Sequence, residues 1–523
     1  MALDRATVTT PTASTKIVAR SWHLRHAIAM QARWIALMSF DFGATADRAE
    51  SAGSLVIVAN RLPIECGADG RVQPSPGGLA SALGALNANA TWIGWTGSTS
   101  PSLPTAGQRR LIPIRLTDDD IDGYYLGFAN STLWPLLHGC LRSPTFSRAW
   151  YRVYRRVNER YAVAASQAAP LGALVWVHDY HLLLVPQLLR SVRPDVRIGM
   201  FLHTPVPSPD LLATLPWRRQ LMYGIAGADL LGLQTERDSA NITAAFDRFL
   251  DGGRDTAPFE LRRGPDTGTF PISIDFDRWN TLGEASTCRP TRDTGPRDDR
   301  FVFLGVDRLD YTKGIDQRLR AFCELLDDGR LDPATCRFVQ VSVPSRTQLP
   351  DYRAESDRVG RIVQLINSRH RRRDGRPPVE HIRAQLGSTD LAALYRAADC
   401  MVVTPYADGM NLVAKEFVAC RGDLDGTLLL SEYAGAARHL SGALIVNPYD
   451  LDAVKRAMLT ARTMSEGERR TRMVTMRAEV RAHDVHAWAR SFLERLARID
   501  QWPAARGAAR ASAISRSAAA VGT

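Results

Sequence analysis

Short runs of consecutive apolar residues recur along this chain in two series. The first series lies at 55–59, 173–178, 197–202 and 230–233, and the second lies at 301–306, 337–343, 400–404, 427–430 and 443–446. Because these runs are apolar at nearly every position instead of alternating, they predict parallel strands that helices cover on both faces. Patterns with the period of a helix lie between many of them, as at 316–326 and 351–366, and two more close the chain at 465–482 and 486–498.

The βαβ rhythm therefore occurs twice, which predicts an α/β fold of two Rossmann-like, parallel-sheet domains facing each other across a deep cleft. A length of 523 residues also exceeds what one core usually holds. We expect an N-terminal domain, a polar linker rich in Pro, Thr, Asp and Arg, a C-terminal domain and a closing helix that returns to the N-terminal domain. Their predicted ranges are 53–285, 286–300, 301–484 and 485–503.

The two ends of the chain are predicted to lie outside these domains. Residues 1–52 form an extension that we expect to be poorly ordered, although its stretch 16–33, with four basic and no acidic residues, also allows an amphipathic helix or a targeting segment. Residues 504–523 are rich in Ala, Ser and Arg and are expected to be a disordered tail.

Charge and cysteine content narrow the possible functions. Lys and Arg outnumber Asp and Glu by 66 to 55, a net charge of +11, but the basic residues are scattered. They suit anionic small ligands or a plain basic surface, and they lack the basic and aromatic clustering of nucleic-acid binders. The seven cysteines show no pair with metal or redox spacing, which favours a reducing compartment. With no apolar run of ~18 residues and no clear secretory signal, we expect a cytoplasmic protein without a membrane partner.

Polar residues follow the predicted strands of the first half, where open α/β sheets bind ligands. Arg61 follows the first strand, Asp179 the second and His203 the third. A carboxylate in such a place can accept hydrogen bonds from sugar hydroxyls, whereas a single histidine there is more often structural.

A glycine pair and an aromatic cluster in the same half are weaker signals. Gly77 and Gly78 open a predicted helix and would let backbone approach a diphosphate, but they lack dinucleotide-site spacing and ordinary turns use such pairs. Tyr124, Tyr125 and Trp134 suit the apolar face of a sugar ring, and a buried aromatic core is the alternative.

The second half carries cations and acids at its strand ends. Arg308 and Lys313 lie five positions apart on one predicted loop, where they can clamp a diphosphate, and Arg346 follows the next strand. Asp408 lies in a later loop, where it can hold hydroxyls of a donor sugar. Glu416 lies inside the helix that follows, where it can accept from ribose hydroxyls, and the N-terminus of that helix can take the diphosphate.

In chain order, these motifs resemble those of the trehalose-6-phosphate synthases, a retaining group (glycosyltransferase family 20) with the two-domain GT-B fold. The resemblance spans about residues 55–496. It is most specific in Val177-His178-Asp179-Tyr180-His181 and in Asp408-Gly409-Met410-Asn411-Leu412-Val413-Ala414-Lys415-Glu416.

The resemblance implies two sets of site residues. The acceptor, glucose 6-phosphate, would contact Arg61, Tyr125, Trp134, Asp179 and Arg346. The nucleotide sugar would contact Gly77, Gly78, His203, Arg308, Lys313, Asp408, Asn411, Leu412, Val413, Ala414, Lys415 and Glu416. The implied catalytic residues are Arg308, Lys313, Asp179 and His203, with the two cations neutralising the leaving diphosphate.

The implied reaction transfers glucose from a nucleoside-diphosphate glucose to glucose 6-phosphate with retention, giving trehalose 6-phosphate. UDP-glucose is the family's usual donor, and GDP- and ADP-glucose are alternatives. No carboxylate is clearly placed as a covalent nucleophile, so we favour front-face attack. The fold type needs no metal, and no Asp-x-Asp motif is placed beside the diphosphate, so neither cofactor nor metal is expected. A homo-oligomer, dimer or tetramer, is the expected assembly.

Three departures from the family pattern border the expected site, namely Ala59, Thr204 and Val206. No Asp-x-Asp-x-Thr motif follows the synthase region, so no phosphatase activity is predicted. Two rival hypotheses stay open: a related enzyme with another phosphorylated acceptor, such as glycerol 3-phosphate or a cyclitol phosphate, and a catalytically silent sensor of glucose 6-phosphate.

Overall fold

The computed structural model describes residues 55–66, 72–74, 90–98, 110–250, 264–286 and 299–499. The predicted extension, the predicted tail and most of the predicted linker lie outside the described residues. Within the described part, no helix combines the length and the apolar character needed to cross a bilayer.

Two parallel sheets form the framework, as the apolar runs predict. The strands of the first sheet and of a small hairpin are β1 (Leu55–Arg61), β2 (Ile64–Cys66), β3 (Val72–Pro74), β4 (Thr91–Trp95), β5 (Leu111–Pro113), β6 (Leu174–His178), β7 (Arg197–Phe201), β8 (Leu230–Leu233) and β9 (Asp266–Thr269). The strands of the second sheet are β10 (Phe301–Arg308), β11 (Cys336–Val343), β12 (Val379–Ile382), β13 (Cys400–Val403), β14 (Thr427–Ser431) and β15 (Leu444–Val446).

Helices lie between the strands. They are α1 (Asp118–Asp120), α2 (Trp134–Leu137), α3 (Arg148–Ala168), α4 (Val185–Arg190), α5 (Pro209–Leu212), α6 (Arg218–Ile225), α7 (Glu236–Leu250), α8 (Phe276–Ala285), α9 (Ile315–Asp327), α10 (Pro350–Arg369), α11 (Ser388–Ala397), α12 (Leu412–Cys420), α13 (Leu451–Thr463), α14 (Glu466–Ala482) and α15 (Val485–Arg498). A π-helix, Ile121–Leu133, joins α1 to α2, and 3₁₀ turns lie at Tyr180–Leu182, Tyr311–Lys313 and Gly435–Arg438.

The nine predicted strands are all present, and their ends agree with the prediction within two residues. The prediction missed β4, β5, β9, β12 and the antiparallel hairpin β2–β3. Three of these, β5, β9 and β12, are edge strands, where one side is open and a continuous apolar run is not required. The polar sequence Asp-Thr-Gly-Thr of β9 shows this clearly.

In each sheet, successive strands are added first toward one edge and then toward the other, so the strand order reverses at one point. The first sheet has the order β5-β4-β1-β6-β7-β8-β9, and the second has β12-β11-β10-β13-β14-β15. All neighbours in both sheets are parallel. The reversal points lie between β1 and β6 and between β10 and β13, where such sheets open a crevice beyond the carboxyl ends of their strands.

The last helix, α15, packs against the first sheet although it follows the second sheet in sequence. Phe492 stacks on Trp176 of β6 with ring centres 4.8 Å apart. Gly199 and Gly232 lie beneath this ring, and a Cβ at either position would come within 2.7 Å of Phe492. The two glycines therefore make the room that allows α15 to join the two halves in one apolar core.

Candidate active site

The carboxyl ends of the strands of the two sheets lie close together, and side chains from both domains form one cluster. Arg346 follows β11 of the second sheet, yet its guanidinium carbon lies 4.2 Å from the ring centre of Trp134 in the first domain. Its Nη2 donates to the hydroxyl of Tyr180, directly after Asp179, at 3.2 Å. On the other side of the junction, Gly409 lies so close to the carbonyl oxygen of His203 that a Cβ would stand 1.9 Å from it.

Arg346 is held in place by an anchor on its own domain. Its side chain is only 4% exposed, and Nη1 donates to Asp310 Oδ2 at 3.2 Å and to the hydroxyl of Tyr352. Its backbone has φ 48°, a left-handed conformation that is strained for a residue with a side chain. Although burial opposes ionisation of Asp310, Arg346 and Arg308 hold the pKa of that carboxyl below its usual range.

Arg61 ends β1 and approaches the same place from the first domain. Its guanidinium carbon lies 4.4 Å from the ring centre of Trp95 and 5.6 Å from that of Tyr125. Tyr125 in turn stacks on His181 with ring centres 6.0 Å apart. Burial would raise the pKa of Tyr125, but the nearby Arg346 and Arg61 outweigh it, so the pKa is lowered. The five predicted acceptor residues thus lie in one aromatic, positively charged pocket.

Asp179 has a backbone conformation that places its carboxylate at the end of β6. Its φ of 72° is left-handed, and its Oδ1 accepts from the backbone N–H of His203 at 3.3 Å. Burial raises the pKa of this carboxyl to about 6, against the opposing effect of two backbone hydrogen bonds and Arg346. At neutral pH the group is therefore ionised and can accept hydrogen bonds from hydroxyl groups, and no cation among the described residues is bound directly to it.

His203 belongs to a chain of hydrogen bonds that crosses beneath the site. Its Nε2 lies 3.1 Å from Nδ1 of His178, and its Nδ1 lies 3.4 Å from Nε2 of Gln234. Burial lowers the pKa of His203 to about 3, so the ring is neutral. This series of hydrogen bonds continues at Gln234, whose Oε1 accepts from the backbone N–H of Ile272 at 2.9 Å.

The predicted donor residues centre on one ion pair between two loops of the second domain. Lys313 Nζ lies 2.6 Å from Asp408 Oδ2, which also accepts from the side chain of Asn411 at 3.1 Å. Burial would raise the pKa of Asp408, but Lys313 outweighs it and lowers that pKa. Gly314 takes the left-handed φ of 59° that lets the chain turn from this loop into α9.

The N-terminus of α12 faces the same loop. Asn411 caps it, with Oδ1 accepting from the N–H of Ala414 at 3.1 Å. The N–H groups of Leu412 and Val413 belong to the first turn of this helix, which is a favourable place for an anion such as a diphosphate. The sequence analysis assigns Asn411, Leu412 and Val413 to the donor site. Contacts through their backbone fit this geometry better than contacts through their side chains.

The two charged residues further along α12 also bond to neighbouring parts of the protein. Glu416 accepts from the hydroxyl of Tyr395 at 2.9 Å, and burial raises the pKa of this carboxyl to about 7. Lys415 donates to the carbonyl oxygen of Ile272 at 2.8 Å, and burial lowers its pKa to about 7. Lys415 therefore ties α12 to the segment that leads from β9 into α8.

Arg308 is more exposed than Lys313, Asp408 and Arg346. Its side chain is 42% exposed, its nearest acid is Asp310 at 3.9 Å and its guanidinium carbon lies 5.4 Å from the ring centre of Trp134. It thus borders the aromatic pocket, and both Arg308 and Lys313 act to lower the pKa of Asp310. Gly77 and Gly78, the remaining predicted donor residues, lie outside the described residues.

Several site residues were missed by the sequence analysis. Asp310, Tyr352, Tyr180 and His181 form the inner wall of the aromatic pocket, and His138 stacks on Trp134 with ring centres 3.9 Å apart. Burial lowers the pKa of His138 to about 4. The spacing of His138, one helical turn after Trp134, was the available signal, since it puts both residues on one face.

Comparisons with known proteins agree with this architecture. Residues 53–498 match the family model described as glycosyltransferase family 20. A trehalose-6-phosphate synthase of Mycolicibacterium vanbaalenii is 42% identical over 480 residues, 86% of this chain and 97% of the relative. One from Mycolicibacterium gilvum is 43% identical over 472 residues, 84% of this chain and 93% of the relative.

Solved structures give the same result. A UDP-forming alpha,alpha-trehalose-phosphate synthase from Burkholderia xenovorans, in complex with glucose 6-phosphate, has a TM-score of 0.77 and 33% identity, and the match covers 85% of this chain and all of that one. The E. coli enzyme bound with UDP-2-fluoro glucose has a TM-score of 0.75 and 30% identity, and the match covers 86% of this chain and 100% of that one.

This chain therefore belongs to glycosyltransferase family 20, and its two parallel-sheet domains form a GT-B fold. It is a glycosyltransferase of the trehalose-6-phosphate synthase type.

Proposed function

We propose that this family 20 enzyme transfers glucose from UDP-glucose to glucose 6-phosphate, retains the anomeric configuration of the donor and releases trehalose 6-phosphate and UDP. The observation that carries the proposal is the insertion of Arg346 from one domain into the Trp134–Tyr180 wall of the other. This contact puts a fixed cation and an aromatic surface beside the Asp179 carboxylate, which suits a phosphorylated sugar. The names of the structural neighbours, UDP-forming and complexed with glucose 6-phosphate, support the same substrates.

In this proposal, the acceptor lies in the aromatic pocket. Arg61 and Arg346 bind its phosphate, because guanidinium groups match phosphate oxygens in geometry and charge. Trp134 and Tyr125 contact the sugar ring, and Asp179 accepts hydrogen bonds from ring hydroxyls.

The donor lies against the second domain. The first turn of α12 and the cations Lys313 and Arg308 meet its diphosphate, while Asp408 and Glu416 accept hydrogen bonds from hydroxyls of the donor. His203 borders the donor glucose where the two domains touch at Gly409.

The chemical step balances without a covalent enzyme intermediate. The bond between the anomeric carbon and the leaving phosphate oxygen breaks, and a bond to the C1 hydroxyl oxygen of glucose 6-phosphate forms on the same face. The hydroxyl proton passes to the departing phosphate. Lys313 and Arg308 stabilise the charge that develops on the diphosphate, an electrostatic role that is often the largest single contribution to catalysis. With two cations in this role, the proposed transfer requires no divalent metal.

A donor panel tests the proposal. Purified protein is incubated with glucose 6-phosphate and UDP-, GDP- or ADP-glucose, with and without a chelator, and both nucleoside diphosphate and sugar product are measured. We expect the fastest release from UDP-glucose, no effect of the chelator, and an α,α-linked disaccharide phosphate by NMR.

Other outcomes separate the alternatives. Parallel incubations replace glucose 6-phosphate with glycerol 3-phosphate or a cyclitol phosphate. Turnover only with one of these acceptors would leave the donor site intact and contradict the acceptor assignment. Binding of glucose 6-phosphate without turnover of any donor would show a sensor instead of an enzyme.

A further inference from the structure

A mixed set of metal-ligating side chains lies away from the active site, between the C-terminal ends of α9 and α10. Cys323 and Asp327 are on α9, and His370 directly follows α10. One ligand atom from each residue lies within 4.8 Å of the other two, namely a Cys323 sulfur, an Asp327 carboxylate oxygen and a His370 ring nitrogen.

We propose that Cys323, Asp327 and His370 form a binding site for a divalent cation of borderline softness, with Zn²⁺ as the best match. The site is independent of the proposed transferase reaction and lies on a different part of the second domain.

The helical spacing brings the first two ligands together. Cys323 and Asp327 are four residues apart, so they project from one face of α9 in successive turns. The same spacing serves paired zinc ligands on other helices. Cys323 Sγ lies 3.7 Å from Asp327 Oδ2, so the thiol and the carboxylate approach each other to the roughly 3.3–3.7 Å that separates the ligands of tetrahedral zinc with bonds of 2.0–2.3 Å. The ligating oxygen, Oδ1, belongs to the same carboxylate.

His370 closes the set from the neighbouring helix. Its Nε2 lies 2.9 Å from Asp327 Oδ1, and its backbone N–H bonds to the carbonyl oxygen of Ile366 at 3.0 Å, which fixes the residue at the end of α10. The ring nitrogen and the carboxylate oxygen now share a hydrogen bond, and a cation would replace that proton between them.

The ligand types and the surrounding charges favour zinc over magnesium or calcium. Thiolate and imidazole are poor ligands for hard cations and good ones for Zn²⁺. One thiolate and one carboxylate would neutralise the dication. Arg369 Nη1 holds Asp327 Oδ2 at 2.7 Å, so the carboxylate can ligate through Oδ1 while Arg369 orients it from outside.

Burial leaves one coordination position for solvent. The side chain of Cys323 is buried, that of His370 is 15% exposed and that of Asp327 is 32% exposed. Three protein ligands and a water complete a tetrahedral site. The cation would join the far ends of two helices whose near ends follow Lys313 and Arg346, and would therefore stabilise the second domain.

Cobalt spectroscopy tests the site directly. Tag-free, chelator-treated protein is titrated with Co²⁺ and then with Zn²⁺. We expect one tightly bound Co²⁺ with a thiolate-to-cobalt charge-transfer band in the near ultraviolet, and loss of that band when Zn²⁺ displaces it. Absence of the band would overturn the proposal, leaving the three residues as an ordinary hydrogen-bonded cluster.

Variants assign the ligands. Cys323→Ser should abolish the band, and His370→Gln should weaken Co²⁺ binding at least about tenfold while the thiol remains. Asp328→Asn, which changes the exposed acid directly after α9, is the matched control and should bind Co²⁺ normally. A band that survives Cys323→Ser would place the cation on another cysteine and contradict the assignment.

Thermal unfolding gives a second readout that does not depend on folding of the cysteine variant. Zn²⁺ should raise the Tm of the unmodified protein and of Asp328→Asn, because a ligand that binds only the folded state stabilises it. At the same Zn²⁺ concentration, it should raise the Tm of His370→Gln less, because that variant binds the metal more weakly. An equal rise in all three proteins would show that zinc binds elsewhere.

Discussion

Asp179 and Asp408 are two carboxylates at the strand ends of two sheets, both mostly buried in one cleft, yet their pKa values move in opposite directions. Burial raises the pKa of Asp179 to about 6, whereas Lys313 overrides burial and lowers that of Asp408. The difference lies in the partners. Asp179 is surrounded by aromatic rings and backbone N–H groups, and Asp408 has an ammonium group at 2.6 Å.

The two halves of the site therefore differ in whether a cation is bound directly to Asp179 or to Asp408. In the proposed assignment, the acceptor half holds Asp179 with no cation of the described residues bound directly to it, so its oxygens are available to the hydroxyls of a sugar ring. Asp310, in the wall of the same pocket, is already paired with Arg346. The donor half pairs its carboxylate with a cation in advance and keeps Arg308 partly exposed, 3.9 Å from its nearest acid. A diphosphate brings its own charge, and a cation that is not fully neutralised can meet it.

Removal of Lys313 should have the largest effect on activity. In Lys313→Met the leaving diphosphate loses a cation and Asp408 loses its partner, so we expect kcat to fall by roughly 10³. Steady-state kinetics with saturating UDP-glucose measure it. Lys455→Met is the matched control, since that largely buried lysine of α13 is also paired with acids, Glu324 and Asp328. A loss below tenfold would mean that charge does not develop beside Lys313.

Arg346→Lys should act on the acceptor half alone. Lysine keeps the charge but cannot lie flat on Trp134 while bonding to Asp310 and Tyr180. Loss of charge-assisted hydrogen bonds predicts a rise in KM for glucose 6-phosphate of about 10- to 100-fold.

The KM for UDP-glucose should change little in the same variant. Arg353→Lys, on the exposed start of α10, controls for a general effect of the substitution. An equal rise in both KM values would show that Arg346 serves domain closure instead of acceptor binding.

The acidity of Asp179 allows a sharper test through pH. With a pKa of about 6, Asp179 takes up a proton as the pH falls below 6, and the acceptor site loses its carboxylate. We expect KM for glucose 6-phosphate to rise about tenfold per pH unit below that point. The KM for UDP-glucose should not follow this curve, because Lys313 keeps Asp408 ionised.

Folding stability should respond to Asp179 with the opposite sign. A carboxyl with a raised folded-state pKa binds more protons in the folded than in the unfolded state between about pH 4 and 6, so its ionisation costs stability as the pH rises through that window. Asp179→Asn should remove both pH effects together. A KM profile that persists in this variant would assign the titration to another group.

The positions of the site residues at strand ends could be predicted from the sequence, whereas the contacts between those residues could not. Strand ends were visible as polar residues after apolar runs, which is how Asp179, Arg308 and Arg346 were found. The pairs that give them their properties were not visible, because Lys313 and Asp408 are 95 residues apart and meet only through the order of strands in the sheet.

The direction in which a side chain points could not be predicted from the sequence either. The resemblance grouped Lys415 with the donor residues, yet in the structure its ammonium bonds to Ile272, far along the chain. The left-handed backbone of Asp179 and Arg346 was also out of reach, since no sequence rule assigns a positive φ to either residue type at a strand end.

Thr204 lies between the two halves and offers the smallest and most local test. It departs from the family pattern, it is only 5% exposed, and its hydroxyl has no hydrogen-bond partner among the residues that the structure describes. A buried hydroxyl without a partner costs free energy of unfolding, so Thr204→Val, which keeps the shape, should stabilise the protein by about 1 kcal/mol. Denaturant unfolding measures the change.

Val206→Thr is the reverse control, since it adds a hydroxyl two residues away and should destabilise the protein. If Thr204→Val instead leaves stability unchanged and raises the KM for one substrate, the hydroxyl belongs to the substrate's hydrogen-bond network, and the KM that rises tells which half of the site it serves.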